Sequence, residues 1–209
     1  YNKKKLLKIA ISKKIYQIPI VDDNGKLIDV YVLHDILKLK KKNNKVVLMA
    51  GGEGMRLRPL TENTPKPMLK VANSPILETI IKKFRESGYC DIIICVNYKS
   101  HVIENYFGDG TKFGVKIKYV KEKKKMGTAG ALSLIKEKLT EPFFLMNGDL
   151  LTNLNFDRML EFHQERQAIA TMCVREHIIE SRYGEVHLDE ENITSIEEKP
   201  VHKFFMNGG

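Results

Sequence analysis

Short apolar runs alternate with segments of helical spacing along most of this chain. Residues 46–50 (VVLMA) and 91–96 (DIIICV) are nearly continuous apolar runs of strand length, as expected for strands buried on both faces. Residues 143–146 and 168–174 read the same way, and residues 115–120 alternate as a strand. Between the first two runs, Ile76, Leu77, Ile80, Ile81 and Phe84 fall on one helical face. Ser74 as N-cap, Pro75 at the first helical position and Glu78 in the first turn should open that helix, and Gly88 should end it. Further helices are expected over 101–107, over 128–139 with Ala131, Leu132, Ile135 and Leu139 inward, and after Asn155, whose helix places Phe156, Met159, Leu160 and His163 on one side. Strands separated by helices predict an α/β fold built on a doubly wound, mostly parallel sheet. Ligands of such sheets bind beyond the carboxyl ends of the strands. Gly51 to Arg56 and Asn147-Gly148-Asp149 should therefore line one crevice.

Residues 1–42 form a separate unit, with 43–209 as the main domain. A helix over 3–11, a strand over 18–21, the turn Asp22-Asp23-Asn24-Gly25, a strand over 27–33 and a helix over 34–39 are expected there. About 40 residues bury too little to fold alone. The polar run KKKNNK at 40–45 reads as a linker. Residues 18–37, IPIVDDNGKLIDVYVLHDIL, resemble the second half of a cystathionine-β-synthase-type (CBS) module. In that family paired modules bind adenosine nucleotides and regulate. Only part of one module is present, so an adenosine nucleotide would need an intact pair, and a packing appendage is the plainer reading.

The net charge of +9 changes the picture little. Lysine runs at 3–5, 40–42 and 123–125 are far apart, tryptophan is absent and the tyrosines are scattered, which argues for solvated faces rather than a nucleic-acid site. Three cysteines without a CxxC spacing suit a reducing cytoplasm, with Cys95 and Cys173 as small core residues. No apolar run approaches membrane-span length, and Tyr1 is followed by charge rather than by a signal-peptide core. The termini look like those of a piece of a longer protein.

The chemistry concentrates at 45–69, KVVLMAGGEGMRLRPLTENTPKPML. Gly51, Gly52 and Gly54 follow a buried strand and let backbone N–H groups approach an anion. Arg56 and Arg58 follow, then Lys66 between Pro65 and Pro67. No GK[ST] closes the loop, and Leu57 stands where a dinucleotide fingerprint needs its third glycine. Residues 125–130 are a second loop of small residues before an expected helix N-terminus, favouring a planar group or anion. Asp149, at a strand end, can hold a hard cation such as Mg²⁺. None of the six histidines stands in a metal or nucleophile motif, and no Ser or Cys elbow offers covalent catalysis.

The stretch GGEGMRLRPLTENTPKPML resembles the signature of the sugar-1-phosphate nucleotidyltransferases, a GG-x-G-x-R-L-x-P loop followed by a PKP lysine. The resemblance covers most of 45–209 and implies a Rossmann-like nucleotide-diphospho-sugar transferase domain. It implies that Gly51, Gly52 and Gly54 hold the nucleotide, that Arg56 sits on the triphosphate, and that Lys66 contacts the reacting phosphates. Gly127 and Thr128 would belong to the base and ribose pocket. Asp149 would bind Mg²⁺, with a second aspartate expected in a later motif that residues 1–209 do not contain. The run ITSIEEKP resembles the family's sugar segment: Glu198 would take hydroxyls, Lys199 the sugar phosphate, Gly184 would let the sugar approach, and Asn207 would lie beside it. Met55 stands where threonine is commoner.

The implied reaction joins a nucleoside triphosphate to a sugar-1-phosphate, giving a nucleotide-sugar and pyrophosphate. A CBS segment before this domain resembles bacterial guanylyltransferases acting on mannose-1-phosphate or glucosamine-1-phosphate, which favours GTP. CTP, UTP, dTTP and ATP serve the same signature. The alternative is a non-catalytic regulatory relative that senses sugar nucleotides; Arg56, Lys66 and Asp149 favour an enzyme. Sequence leaves homo-oligomerisation open.

Overall fold

A computed structural model describes residues 3–13, 15–32, 41–124 and 126–208. The expected helix over 34–39, and Lys125, lie outside these. The described chain divides into two compact units, Tyr1–Thr152 and Asn153–Gly209.

The first unit is organised by four parallel strands: β3 (Val46–Met49), β6 (Asp91–Val96), β7 (Lys116–Lys121) and β8 (Phe144–Asn147). Their order across the sheet is β7-β6-β3-β8. Val46 stands opposite both Ile92 and Phe144, and Ile94 opposite Tyr119. β3 and β6 are the continuous apolar runs, and Val46, Val47, Leu48 and Ile92 to Val96 are buried, because helices or loops cover both faces. The chain moves from β3 to β6 to β7 in one direction, then returns to the other side of β3 for β8. The strand order reverses between β3 and β8, and the carboxyl ends there open into a crevice.

The reversal also sets which segment covers which face. On one face α2 (Ile76–Glu86) lays Leu77, Ile80, Ile81 and Phe84 on the sheet, and the Phe84 ring lies 5.5 Å from that of Phe144. On the other, Val47, Ile93, Cys95 and Ala131 form a cluster joined by Leu132, Ile135 and Leu139. α3 (Ser100–Phe107) precedes β7. The α/β architecture and parallel central sheet are as expected from the sequence.

Several local expectations shift. Pro75, not Ser74, is the N-cap of α2; Ser74 and Pro75 instead form a two-residue strand, β5, antiparallel to β4 (Lys70–Val71). Ser74 still donates its hydroxyl to Glu78. Segment 128–139 is not an α-helix. It makes one 3₁₀ turn, Gly130–Leu134, and then leaves helical geometry at Ile135. Gly127, Thr128, Gly130 and Ser133 are poor helix formers, and one turn already turns Ala131 into the core. Beyond it Glu137 is held by Lys45 and Lys118. The strand expected over 168–174 begins only at Val174: Ile169 is fully exposed, and among the described residues the ladder with β12 starts at Val174.

The amino-terminal residues fold as α1 (Lys3–Lys13) and the antiparallel hairpin β1 (Gln17–Val21) and β2 (Leu27–Val32), turning at Gly25 as Asn-Gly requires. In the second unit, Asn155 caps α4 (Phe156–Glu165) by accepting from the Asp157 and Arg158 N–H groups. Two antiparallel pairs follow, β9 (Val174–Glu180) with β12 (Val201–Asn207), and β10 (Glu185–Asp189) with β11 (Asn192–Glu197).

Candidate active site

β3 ends at Met49, and the glycine loop begins where four parallel strands stop. Gly54 has φ +62° and caps a short 3₁₀ turn carrying Arg56. A Cβ on Gly54 would lie 2.9 Å from Thr61 Cγ2 and 3.2 Å from Lys66 Cβ, so glycine here lets the loop close onto the lysine segment. Pro67 and Met68 are buried and anchor that segment, leaving Lys66 half-exposed above it. Gly148 turns the chain out of β8, donating its N–H to Met49 O at 2.8 Å. A Cβ on Gly148 would lie 3.1 Å from that same oxygen, so a side chain here would be crowded against the end of β3. Asp149 is thereby delivered to the same opening.

These elements enclose a crevice of about 570 Å³. Its lining brings together Gly51, Gly52, Gly54, Arg56, Lys66, Gly127, Thr128 and Asp149. All eight nucleotide, phosphate and metal candidates of the first unit thus share one space. Within it Lys66 Nζ and Asp149 Oδ2 form an ion pair at 2.6 Å.

Two lining residues escaped the sequence reading. Asn97 and Glu122 leave the carboxyl ends of β6 and β7. Glu122 packs against the glycine loop: a Cβ on Gly51 would sit 2.9 Å from Glu122 Oε1. The signal was available, because β6 and β7 belong to the same parallel sheet and the strand-end rule applies to each. Beneath the crevice, burial and the nearby Glu122 charge push the Cys95 thiol up to about 11.

Gly184, Glu198, Lys199 and Asn207 lie in the second unit. A Cβ on Gly184 would lie 3.1 Å from Glu198 Oε2, so these two are neighbours there. Lys199 adopts a positive φ of 48° and Asn207 ends β12 opposite Val174. Among the described residues no group of three or more His, Cys, Asp or Glu side chains could by itself hold a metal ion. Asp149 and Glu122 are the carboxylates lining the crevice. A single carboxylate such as Asp149, completed by phosphate oxygens and water, is a donor set suited to Mg²⁺.

A parallel sheet with a glycine cradle, cations and an aspartate at its switch point defines an α/β protein suited to phosphorylated ligands. The chain belongs to the nucleotidyl transferase family, whose model matches residues 45–207. It is 38% identical over 146 residues to the mannose-1-phosphate guanylyltransferase catalytic subunit beta of Danio rerio, covering 68% of this chain and 41% of that protein. It is 35% identical over 163 residues to mannose-1-phosphate guanylyltransferase 1 of Arabidopsis thaliana, covering 75% of this chain and 45% of that one. The chain thus spans less than half the length of these relatives. The crystal structure of HddC from Yersinia pseudotuberculosis shares the fold, with a TM-score of 0.57 and 24% identity over 79% of this chain and 74% of that one.

Proposed function

We propose that this chain carries the nucleotide-binding part of a sugar-1-phosphate guanylyltransferase, joining GTP to mannose-1-phosphate or glucosamine-1-phosphate. The carrying observation is the gathering of the glycine loop, Arg56, Lys66, Asp149, Gly127 and Thr128 in one crevice at the reversal of strand order. A sugar-phosphate oxygen attacks the α-phosphorus in line. A new phosphorus–oxygen bond forms, the bond from the α-phosphorus to the bridging oxygen breaks, and pyrophosphate leaves with the electron pair. Both reactants are anions, so the protein's task is to position them and offset their repulsion. Loop N–H groups at Gly51, Gly52 and Gly54 cradle the nucleotide, Arg56 takes the departing phosphates, and Lys66 faces the reacting ones. In the second unit, Glu198 and Lys199 are assigned to the sugar and its phosphate, and Gly184 and Asn207 to the same substrate. Mg²⁺ at Asp149 would offset phosphate charge.

Glu122 favours guanine. A carboxylate offers two acceptors side by side. Guanine's N1–H and N2–H₂ groups match them as a pair, whereas uracil and thymine present one N–H between two carbonyls that a carboxylate repels. The relatives named above carry guanylyltransferase names, which supports the same base. The domain division at 42/43 and a regulatory CBS role for the first residues belong to this reading as proposals.

The test is pyrophosphate release by the full-length protein with Mg²⁺, offering each of GTP, CTP, UTP, dTTP and ATP with each sugar-1-phosphate. Turnover with GTP, reduced in Glu122→Gln with partial gain for another base, supports the reading. Nucleotide binding without turnover for any pair would make the protein the regulatory relative instead.

A further inference from the structure

Between the end of β3 at Met49 and the anchored segment at Lys66, the chain forms a loop with a single 3₁₀ turn, Met55–Leu57, which carries the crevice cation Arg56. Met55, Leu57 and Leu60 are exposed, so burial of their side chains does not fix this loop. What ties it down is polar, partly within the loop and partly from the residues after β6. Tyr98 follows β6, whose buried strand makes it a rigid base. Its backbone N–H points to Gly51 O at 3.5 Å, at the start of the loop. Its hydroxyl donates to Glu62 O at 2.9 Å, with Thr61 O at 3.3 Å, at the far side of the loop. Thr61 is buried and donates its own hydroxyl to Gly54 O at 2.8 Å. Lys99 adds a contact to Asn63 Oδ1 at 3.3 Å.

We propose that Tyr98 is a positioning residue for nucleotide binding, which, through Thr61, holds the glycine loop at its working distance from Lys66. The proposal rests on the nucleotide reading of the crevice. Tyr98 is not among the residues lining the crevice. It acts through the loop it braces. A cradle of backbone N–H groups binds an anion only when those groups converge, and an unbraced loop must be ordered at the moment of binding, at a cost in affinity. Tyr98 pays that ordering cost during folding, because it bridges both sides of the loop to the sheet. Thr61 links the brace to Gly54, whose missing Cβ is what lets Thr61 and Lys66 approach.

The experiment uses the full-length protein and Tyr98→Phe, which removes one hydroxyl and no ring surface. Calorimetry gives the Kd for GTP, steady-state rates give KM for GTP and for mannose-1-phosphate, and thermal unfolding gives the melting temperature. Loss of one net hydrogen bond corresponds to about 3–10-fold. The expected result is a weakening of GTP binding and a rise in KM for GTP by that factor, with KM for mannose-1-phosphate and the melting temperature nearly unchanged. Thr61→Val should reproduce the split, and Thr61→Ser, which keeps the hydroxyl, should restore wild-type affinity. Equal GTP affinity in wild type and Tyr98→Phe overturns this proposal alone. So does a uniform rise in both KM values accompanied by a fall in melting temperature, which is what a merely structural tyrosine would give. Failure of the wild-type protein to bind any nucleoside triphosphate overturns the nucleotide reading, and the proposal with it.

Discussion

Replacing Lys66 by alanine separates what its ion pair does for stability from what the lysine does for chemistry. The pair is short, 2.6 Å, but its side chains are 38% and 28% exposed. At such exposure solvent screening leaves an ion pair worth about 0–1 kcal/mol. For a chain of this size that is a shift of roughly 2–4 °C in melting temperature at most. The loss of one preorganised group at a reacting phosphate is much larger, about 10²–10³ in rate, or roughly 3–4 kcal/mol. Lys66→Ala in the full-length protein should therefore lose turnover by at least two orders of magnitude while melting within a few degrees of wild type. Asp149→Ala should do the same. Pyrophosphate release at saturating GTP and mannose-1-phosphate measures the first quantity, and differential scanning fluorimetry the second. A loss of only a few-fold would remove Lys66 from the reacting centre. A large loss matched by a large drop in melting temperature would make the pair a scaffold. Lys66→Met also frees the Asp149 carboxylate, so Mn²⁺ binding without nucleotide, read by electron paramagnetic resonance, should tighten.

Gly54→Ala places a Cβ at φ +62° and 2.9 Å from Thr61, so it should cost at least about 1–2 kcal/mol in urea titration and weaken GTP binding. Asn155→Ala removes the acceptor for two N–H groups at the start of α4 and should cost about 1 kcal/mol, read as faster proteolysis within the second unit. Glu78 is buried, which pushes its carboxyl up, but Lys82, Tyr106 and Ser74 outweigh that and hold it below its ordinary 4.5. A depressed carboxylate stabilises the fold above its unfolded value and loses that contribution as pH falls through the folded one. Stability should therefore fall on acidification below about pH 4.5, and Glu78→Gln should flatten part of that slope. The Cys95 thiol, buried and raised to about 11, should stay unalkylated by iodoacetamide at pH 8 in the native protein and react on unfolding.

Much of the fold is legible along the chain because its signals are local. A continuous run such as DIIICV can be buried only as a central strand or helix, and its length selects the strand. Asn155 and the Asn24-Gly25 turn act on backbone groups within three residues. Where the signal is not local, the reading slips. Residues 168–173 have strand-like composition, but a ladder needs a partner, and Val174 is where Asn207 arrives. Residues 128–139 carry a helical apolar pattern, yet one 3₁₀ turn buries Ala131 and ion pairs on Glu137 hold the remainder.

The glycine loop, Lys66 and Asp149 stand out as candidate chemistry from residue type and spacing, and the strand-end rule already groups the glycine loop with Asp149. Only the tertiary structure decided that Lys66 and Asp149 touch, that Glu122 lies against Gly51, and that Tyr98, just after β6, bonds to Glu62 across the loop. These pairings follow from the order β7-β6-β3-β8, which sets which strand ends adjoin. Strand order is settled by burial and chain crossing over the whole sheet, and no short stretch of sequence encodes it.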